Sequence, residues 1–261
     1  MDNEIMIQLK EVTRRYGDFY AVKNVSLEVR AGEIQGFLGV NGAGKTTTLR
    51  MICGVLRPTE GNVLVGGYDI EQQPEKAKAI TGYIPDRPYI YTKLTAREFL
   101  YFVGDLYNVP NDQLEDRMDR LIAEYGLKEW QDELVESYSH GMRQRLATVA
   151  ALIHNPKVLV IDEPMVGLDP HGAKLLKDSM KRYAHDEGMA ILLSTHSLNV
   201  AEEVADRVAI IDHGEILTSG TVAELHAHSG DAEASDLEKI FLKLTSHTVH
   251  TERRVDDPHP L

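Results

Sequence analysis

Polar and apolar positions alternate early in the chain. They do so over residues 5–9 and again over 19–29, where Val25, Leu27 and Val29 fall on one side. A period of two predicts half-buried strands, here an N-terminal antiparallel β unit. A third strand through Ile34, Gly36, Phe37 and Leu38 runs into a glycine-rich turn over 39–44. The spacing of Leu49, Ile52 and Val55 then predicts a helix over 45–55, closed by Gly54 with Pro58 beyond it. Another strand pair surrounds residues 61–67. From about 86 to 156 the period changes to that of a helix, with Phe99, Phe102, Val103 and Leu106, then Met118, Leu121, Ile122 and Tyr125, among many charges. This predicts an inserted helical subdomain. Residues 158–161 and 190–193 are wholly apolar, with a helical pattern at about 174–185 between them. Strand, helix, strand with fully apolar strands implies a parallel sheet covered on both faces. Residues 208–211 and 215–218 flank Asp212, His213 and Gly214 as a hairpin.

The expected architecture is therefore α/β, with a mixed or parallel sheet core, the antiparallel β unit before it and the helical subdomain inserted. Residues 1–228 form the main domain. Residues 229–261 read as a small polar linker, a short amphipathic helix (Leu237, Ile240, Phe241, Leu244) and a disordered tail.

Composition narrows the function classes. The 261 residues carry 28 basic and 41 acidic side chains, a net charge of −13, which argues against a nucleic-acid partner held by bulk electrostatics. One cysteine, Cys53, excludes an intramolecular disulfide framework and fits a reducing compartment. No basic segment followed by an apolar core opens the chain, and no apolar run approaches the ~18 residues of a spanning helix. The charge is uneven. Residues 34–59 contain Lys45, Arg50 and Arg57, residues 137–161 contain Arg143, Arg145 and Lys157, and neither window has an acidic residue.

The first of those windows contains the chemistry. Gly39, Gly44, Lys45 and Thr46 fit G-x-x-x-x-G-K-[ST] between a strand and a helix. In such a loop the backbone N–H groups of Asn41, Gly42, Ala43 and Gly44, continuing to Thr47, converge on phosphates, and the helix start adds a favourable dipole. Lys45 reaches the β- and γ-phosphates of a nucleoside triphosphate, and the Thr46 hydroxyl is placed for Mg²⁺. Asp162 and Glu163 end the apolar run at 158–161. A carboxylate there serves the metal, and its neighbour suits an attacking water; Asp162 is the metal-side residue and Glu163 the candidate base. Ser139 and Gly141 precede a helical run, where a hydroxyl and free N–H groups make a second anion site or simply a cap.

With Ser139 to Arg145 placed ahead of Asp162 and Glu163, the chain resembles the ATP-binding-cassette (ABC) ATPases over roughly residues 5–225. The resemblance implies a P-loop NTPase fold of the ABC type, with ATP and Mg²⁺ as ligands. It implies that Ser139 and Gly141 form the signature that completes the ATP site of a second ABC ATPase subunit, in a head-to-tail homodimer. Tyr16 matches the aromatic that stacks on adenine, Gly167 to Asp169 the loop linking the two subunits, and His196 the switch histidine at the γ-phosphate. Two residues depart from the pattern. His140 and Met142 stand where the signature has glycine and glutamine. Asp86 stands where a glutamine reaches the metal and water, which keeps open a nucleotide-gated regulator outside transport as the alternative function. Seven of seventeen aromatics lie within 83–107. In the family that region receives separate transmembrane permease subunits, here near Tyr89, Ile90, Tyr91 and Leu94. The implied protein is the ATP-hydrolysing subunit of a transporter, an exporter by analogy, peripheral to the cytoplasmic face of the membrane.

Overall fold

The computed structural model describes residues 4–165, 168–228 and 237–246. The chain begins with β1 (Ile5–Tyr16), β2 (Phe19–Arg30) and β3 (Ile34–Leu38). β1 and β2 pair antiparallel and end on Tyr16 opposite Phe19. Gly17, at φ 60°, supplies the left-handed residue of the turn between them. α1 (Lys45–Ile52) follows the glycine-rich turn, and then β4 (Glu60–Val65) and β5 (Tyr68–Asp69) complete a four-stranded sheet in the order β2-β1-β4-β5. β1 extends well past residue 9. It carries Lys10, Glu11 and Arg15 on exposed positions, and a break in register near Glu11 (φ 50°) interrupts the simple alternation.

α2 (Pro74–Ala79) and β6 (Thr81–Ile84) lead into the helical insertion. This comprises α3 (Ala96–Leu106), α4 (Asn111–Glu124) and α5 (His140–Leu152). Thr95 and Glu98 close a capping box at the start of α3. β7 (Val158–Asp162), α6 (Pro170–Lys181), β8 (Ala190–Thr195), α7 (Leu198–Val204), β9 (Arg207–Asp212) and β10 (Glu215–Thr221) complete the main body. The second sheet runs β10-β9-β3-β8-β7-β6, parallel except for the edge hairpin β9–β10.

That sheet is covered on both faces. Along β7 and β8, Val158, Val160, Ala190 and Leu192 pack in a core with Phe37, Leu49 and the antiparallel sheet. The alternate residues Leu159, Ile161, Ile191 and Leu193 pack with Leu100, Leu121, Leu146 and Leu176 of the helices. Period-two alternation of two apolar sets explains why these strands read as continuous apolar runs. The helix expected over 45–55 stops at Ile52 because Gly54 takes φ 63° and turns the chain. The helix expected over 174–185 starts at Pro170 and passes into a π-turn over Arg182–Asp186.

α8 (Val222–His228) and α9 (Leu237–Ser246) end the described chain. The apolar side of α9 docks on the body, with Leu237 and Ile240 buried beside Leu38, Val208, Ile210 and Leu225. Residues 229–236 of the expected linker and the expected tail after 246 lie outside the described residues, as does Gly167. Among the described residues no helix is long and apolar enough to cross a membrane.

Candidate nucleotide site

The parallel sheet delivers its chemistry at the C-terminal ends of β3, β6, β7 and β8, where open α/β sheets hold ligands. A cavity of about 410 Å³ opens there. Its lining combines Tyr16 of β1, Asn41, Gly42 and Gly44 of the turn, Lys45, Thr46 and Thr47 of α1, Asp86 after β6, and Glu163 after β7. Gly39 and Ala43 instead build the loop. Gly39 accepts a 2.7 Å hydrogen bond from Lys45 Nζ at its carbonyl oxygen, and Ala43 accepts one of 2.9 Å from the Gly214 N–H. Space dictates glycine at the turn. A Cβ on Gly44, which has φ 107°, would come within 2.5 Å of the Ala21 carbonyl, and one on Gly39 within 2.5 Å of the Ile211 carbonyl.

Lys45 is buried, and its ammonium bonds to the Gly39 and Val40 carbonyls and pairs with Glu163 Oε1 at 3.2 Å. The other oxygen, Glu163 Oε2, accepts from His196 Nδ1 at 2.8 Å. A carboxylate only accepts, so that bond places the imidazole proton on Nδ1 and leaves Nε2 free to act outward. Glu163 holds a left-handed φ of 47°, strained for a non-glycine residue, and its N–H bonds to the Ser194 carbonyl and hydroxyl. Strand register therefore joins β7 and β8: Asp162 is opposite Ser194, two residues before His196.

Asp162 is fully buried. Ser194 Oγ donates to its Oδ1 at 2.5 Å, while Oδ2 has no partner among the described residues. Burial pushes its carboxyl above the usual range. The Ser194 hydrogen bond and the polar Thr46 hydroxyl nearby oppose that shift, and the charges of Asp86 and Glu163 add to it. A buried carboxylate with one orphaned oxygen, with Thr46 and Asp86 lining the adjoining cavity, offers hard oxygen donors of the kind Mg²⁺ takes.

Ser139 and Gly141 are not in this lining. Ser139 caps α5, accepting from Met142 N at 3.2 Å. Arg143 and Arg145, the cations of the second basic window, direct their guanidinium groups to backbone carbonyls, Val135 and Glu136 for the first, Tyr125 and Gly141 for the second. Asp169 caps α6 through Gly172 N. Sequence reasoning missed Phe19, Ala21 and Val40, which also line the cavity. The signal for Phe19 was available: with Gly17 and Asp18 as a two-residue turn, it falls opposite Tyr16.

A family model for ABC transporters matches residues 22–166, more than half of the chain. The chain belongs to the ABC transporter family. It is 36% identical over 225 residues to the linearmycin resistance ATP-binding protein LnrL of Bacillus subtilis, covering 86% of this chain and 72% of LnrL. It is 35% identical to the probable multidrug ABC transporter ATP-binding protein YbhF of Escherichia coli, covering 92% of this chain but only 42% of YbhF. Among solved structures, an ATP-binding subunit of an ABC transporter superposes with a TM-score of 0.86 at 30% identity, covering 92% and 99% of the two chains. The ATP-binding cassette MJ0796, a dimer in a post-hydrolysis state bound to ADP and Pi, gives 0.75 at 25% identity, covering 83% and 98%. The fold and the activity class follow: an ABC-type ATPase subunit that binds and hydrolyses ATP.

Proposed function

We propose that this ABC ATPase powers export through transmembrane permease subunits that are separate polypeptides, working as a head-to-tail homodimer at the cytoplasmic face of the membrane. One observation carries the reading: Lys45, Thr46, Asp86 and Glu163 share one cavity, while Ser139 and Gly141 lie outside its lining. A cavity with the phosphate loop but without the signature calls for a second copy to supply it. The names of LnrL and YbhF, linearmycin resistance and probable multidrug transport, support the export direction.

In the mechanism, Tyr16 stacks on the base and the N–H groups of the loop 39–47 hold the phosphates. Lys45 exchanges its ion pair with Glu163 for the β- and γ-phosphates. Glu163, released from the lysine and still bonded to His196, then orients and deprotonates the attacking water. His196 keeps Glu163 in place through Nδ1–H, and its Nε2, the acceptor in that tautomer, accepts from the attacking water beside the γ-phosphate. Ser139 and Gly141 of the second subunit complete the anion shell, so that ATP binding closes the dimer and phosphate release opens it. Thr46, Asp162 and Asp86 would hold Mg²⁺, which when bound offsets charge on the β- and γ-phosphate oxygens.

Permease docking is assigned to the face around residues 89–94. Tyr89 is 93% exposed and Tyr91 60%, and beside them a cavity of about 260 Å³ is walled by Pro85, Pro88, Ile90, Phe99 and Tyr107. Exposed aromatics flanking an apolar pocket are the composition of an interface centre. The decisive experiment is Glu163→Gln. It is expected to keep ATP binding, abolish turnover and accumulate an ATP-bound dimer on size exclusion. Near-normal hydrolysis in that variant would falsify Glu163 as the base.

A further inference from the structure

Phe19 is the largest side chain in the nucleotide cavity that the mechanism above leaves unused. It is 65% exposed, an unfavourable position for a phenyl ring, yet it lines the cavity together with Tyr16. Antiparallel pairing sets Phe19 directly opposite Tyr16. Directly opposed residues project to the same face of a sheet with Cβ atoms about 5 Å apart. Ala21, two places further along β2, falls on that face and lines the same cavity. The alternate pair, Arg15 opposite Tyr20, points away, and its guanidinium lies 5.9 Å from the Tyr20 ring centre.

The Tyr16 ring is already occupied on one side. The Arg14 guanidinium lies 4.5 Å from its centre and is anchored by a 3.0 Å bond to the Arg57 carbonyl. A base therefore meets only the other side of Tyr16, and the next surface along that wall is Phe19. Neither Phe19 nor Ala21 has a side-chain hydrogen-bonding group, so this stretch of wall reads a base by ring area. A fused purine spans more than one aromatic neighbour, and a single pyrimidine ring covers less.

We propose that Phe19 is a second base-contacting residue and that, with Tyr16, it makes the cavity prefer purine over pyrimidine nucleoside triphosphates. The inference rests on the nucleotide-site reading above and deepens it to base selection. The test is calorimetric titration of the full chain with ATP, GTP, CTP, UTP and inorganic tripolyphosphate. In the native protein ATP and GTP are expected to bind more tightly than CTP and UTP. Phe19→Ala is expected to weaken both purine nucleotides about fivefold or more, to change the pyrimidines less and to leave tripolyphosphate unaltered. Phe19→Tyr restores the purine preference. Because Phe19 is exposed at the end of a hairpin, the variants are expected to fold, which circular dichroism checks. An unchanged purine-to-pyrimidine ratio in Phe19→Ala, or an equal loss for tripolyphosphate, overturns the proposal. Lys45→Ala is titrated alongside. Binding of every ligand indifferent to Lys45→Ala would instead sink the nucleotide-site reading itself.

Discussion

At the scale of single residues, the site is a small set of charges held against their preferences. Lys45 and Glu163 pair at 3.2 Å with 6% and 16% of their side chains exposed, so neither is free to be neutralised by water. Asp162 is more extreme, since burial alone disfavours its charged form. A carboxyl whose folded pKa is raised binds protons more readily in the folded than in the unfolded state. Its effect on stability is therefore fully favourable only below the unfolded value and is lost as pH rises through the folded one. At neutral pH Asp162 consequently destabilises the ligand-free protein. Asp162→Asn is expected to raise the urea midpoint at pH 7 in the presence of a chelator. The same change is expected to remove the stabilisation that Mg²⁺ and ATP together give the native chain. A lower midpoint without ligand would mean that the Ser194 bond outweighs desolvation. These residues were legible because their spacing carries a mechanism: glycines before a lysine, carboxylates after an apolar strand. Phe19 was not legible by that route, since its role comes from cross-strand register and no motif contains it.

At the scale of elements, the long periodic segments could be read directly and the short ones could not. Met118, Leu121 and Ile122 of α4 and Tyr125 at its end are buried as their spacing predicts, and β7 and β8 are visible as unbroken apolar runs. Of Phe99, Phe102, Val103 and Leu106 in α3, by contrast, only Phe99 is buried, and Phe102 and Leu106 are exposed. β6 has four residues and α7 seven, too few to show a period, and α2 buries only Ala77. Yet β6 is where the helical subdomain joins the sheet. His154, just after α5, bonds through Nε2 to the Thr81 carbonyl at 3.2 Å and stacks on Tyr107, at the end of α3, with ring centres 3.7 Å apart and planes 11° apart. This join should depend on pH. Burial lowers the His154 pKa from 6.5 to about 4, more than the Thr81 bond raises it. The unfolded chain therefore takes up a proton near pH 6.5 that the folded chain refuses until about pH 4. Stability from this group is complete at neutral pH and lost as pH falls through that window, by ~2–3 kcal/mol at pH 4. His154→Gln keeps a donor for Thr81 and cannot titrate. Its denaturation midpoint is expected to fall less than that of the native chain between pH 7 and pH 4. Parallel slopes for the two proteins would refute the assignment.

At the scale of the whole molecule, net charge and local charge have different meanings. The value of −13 describes a surface that repels polyanions, and the local cations do separate work. Lys45 faces the cavity, whereas Arg143 and Arg145 brace the segments around α5 by binding carbonyls. The window around the signature is thus basic for architecture, and in the proposed dimer its anion contact would fall to Ser139 and the start of α5. In that proposed head-to-tail dimer the second half of each site would belong to another copy. A mixing experiment tests it without the permease. Lys45→Ala disables a chain's phosphate loop, and Ser139→Arg disables its signature, with a loss of about 1 kcal/mol for the cap. Each variant alone forms dimers with no complete site. In a one-to-one mixture, random pairing makes half of the dimers mixed. In a head-to-tail dimer each of those has one site that joins an intact loop to an intact signature. With sites acting independently, ATPase activity is expected to return to about one quarter of native. If both groups served their own chain's site, no pairing could rescue either variant, and the mixture would be as inactive as its components.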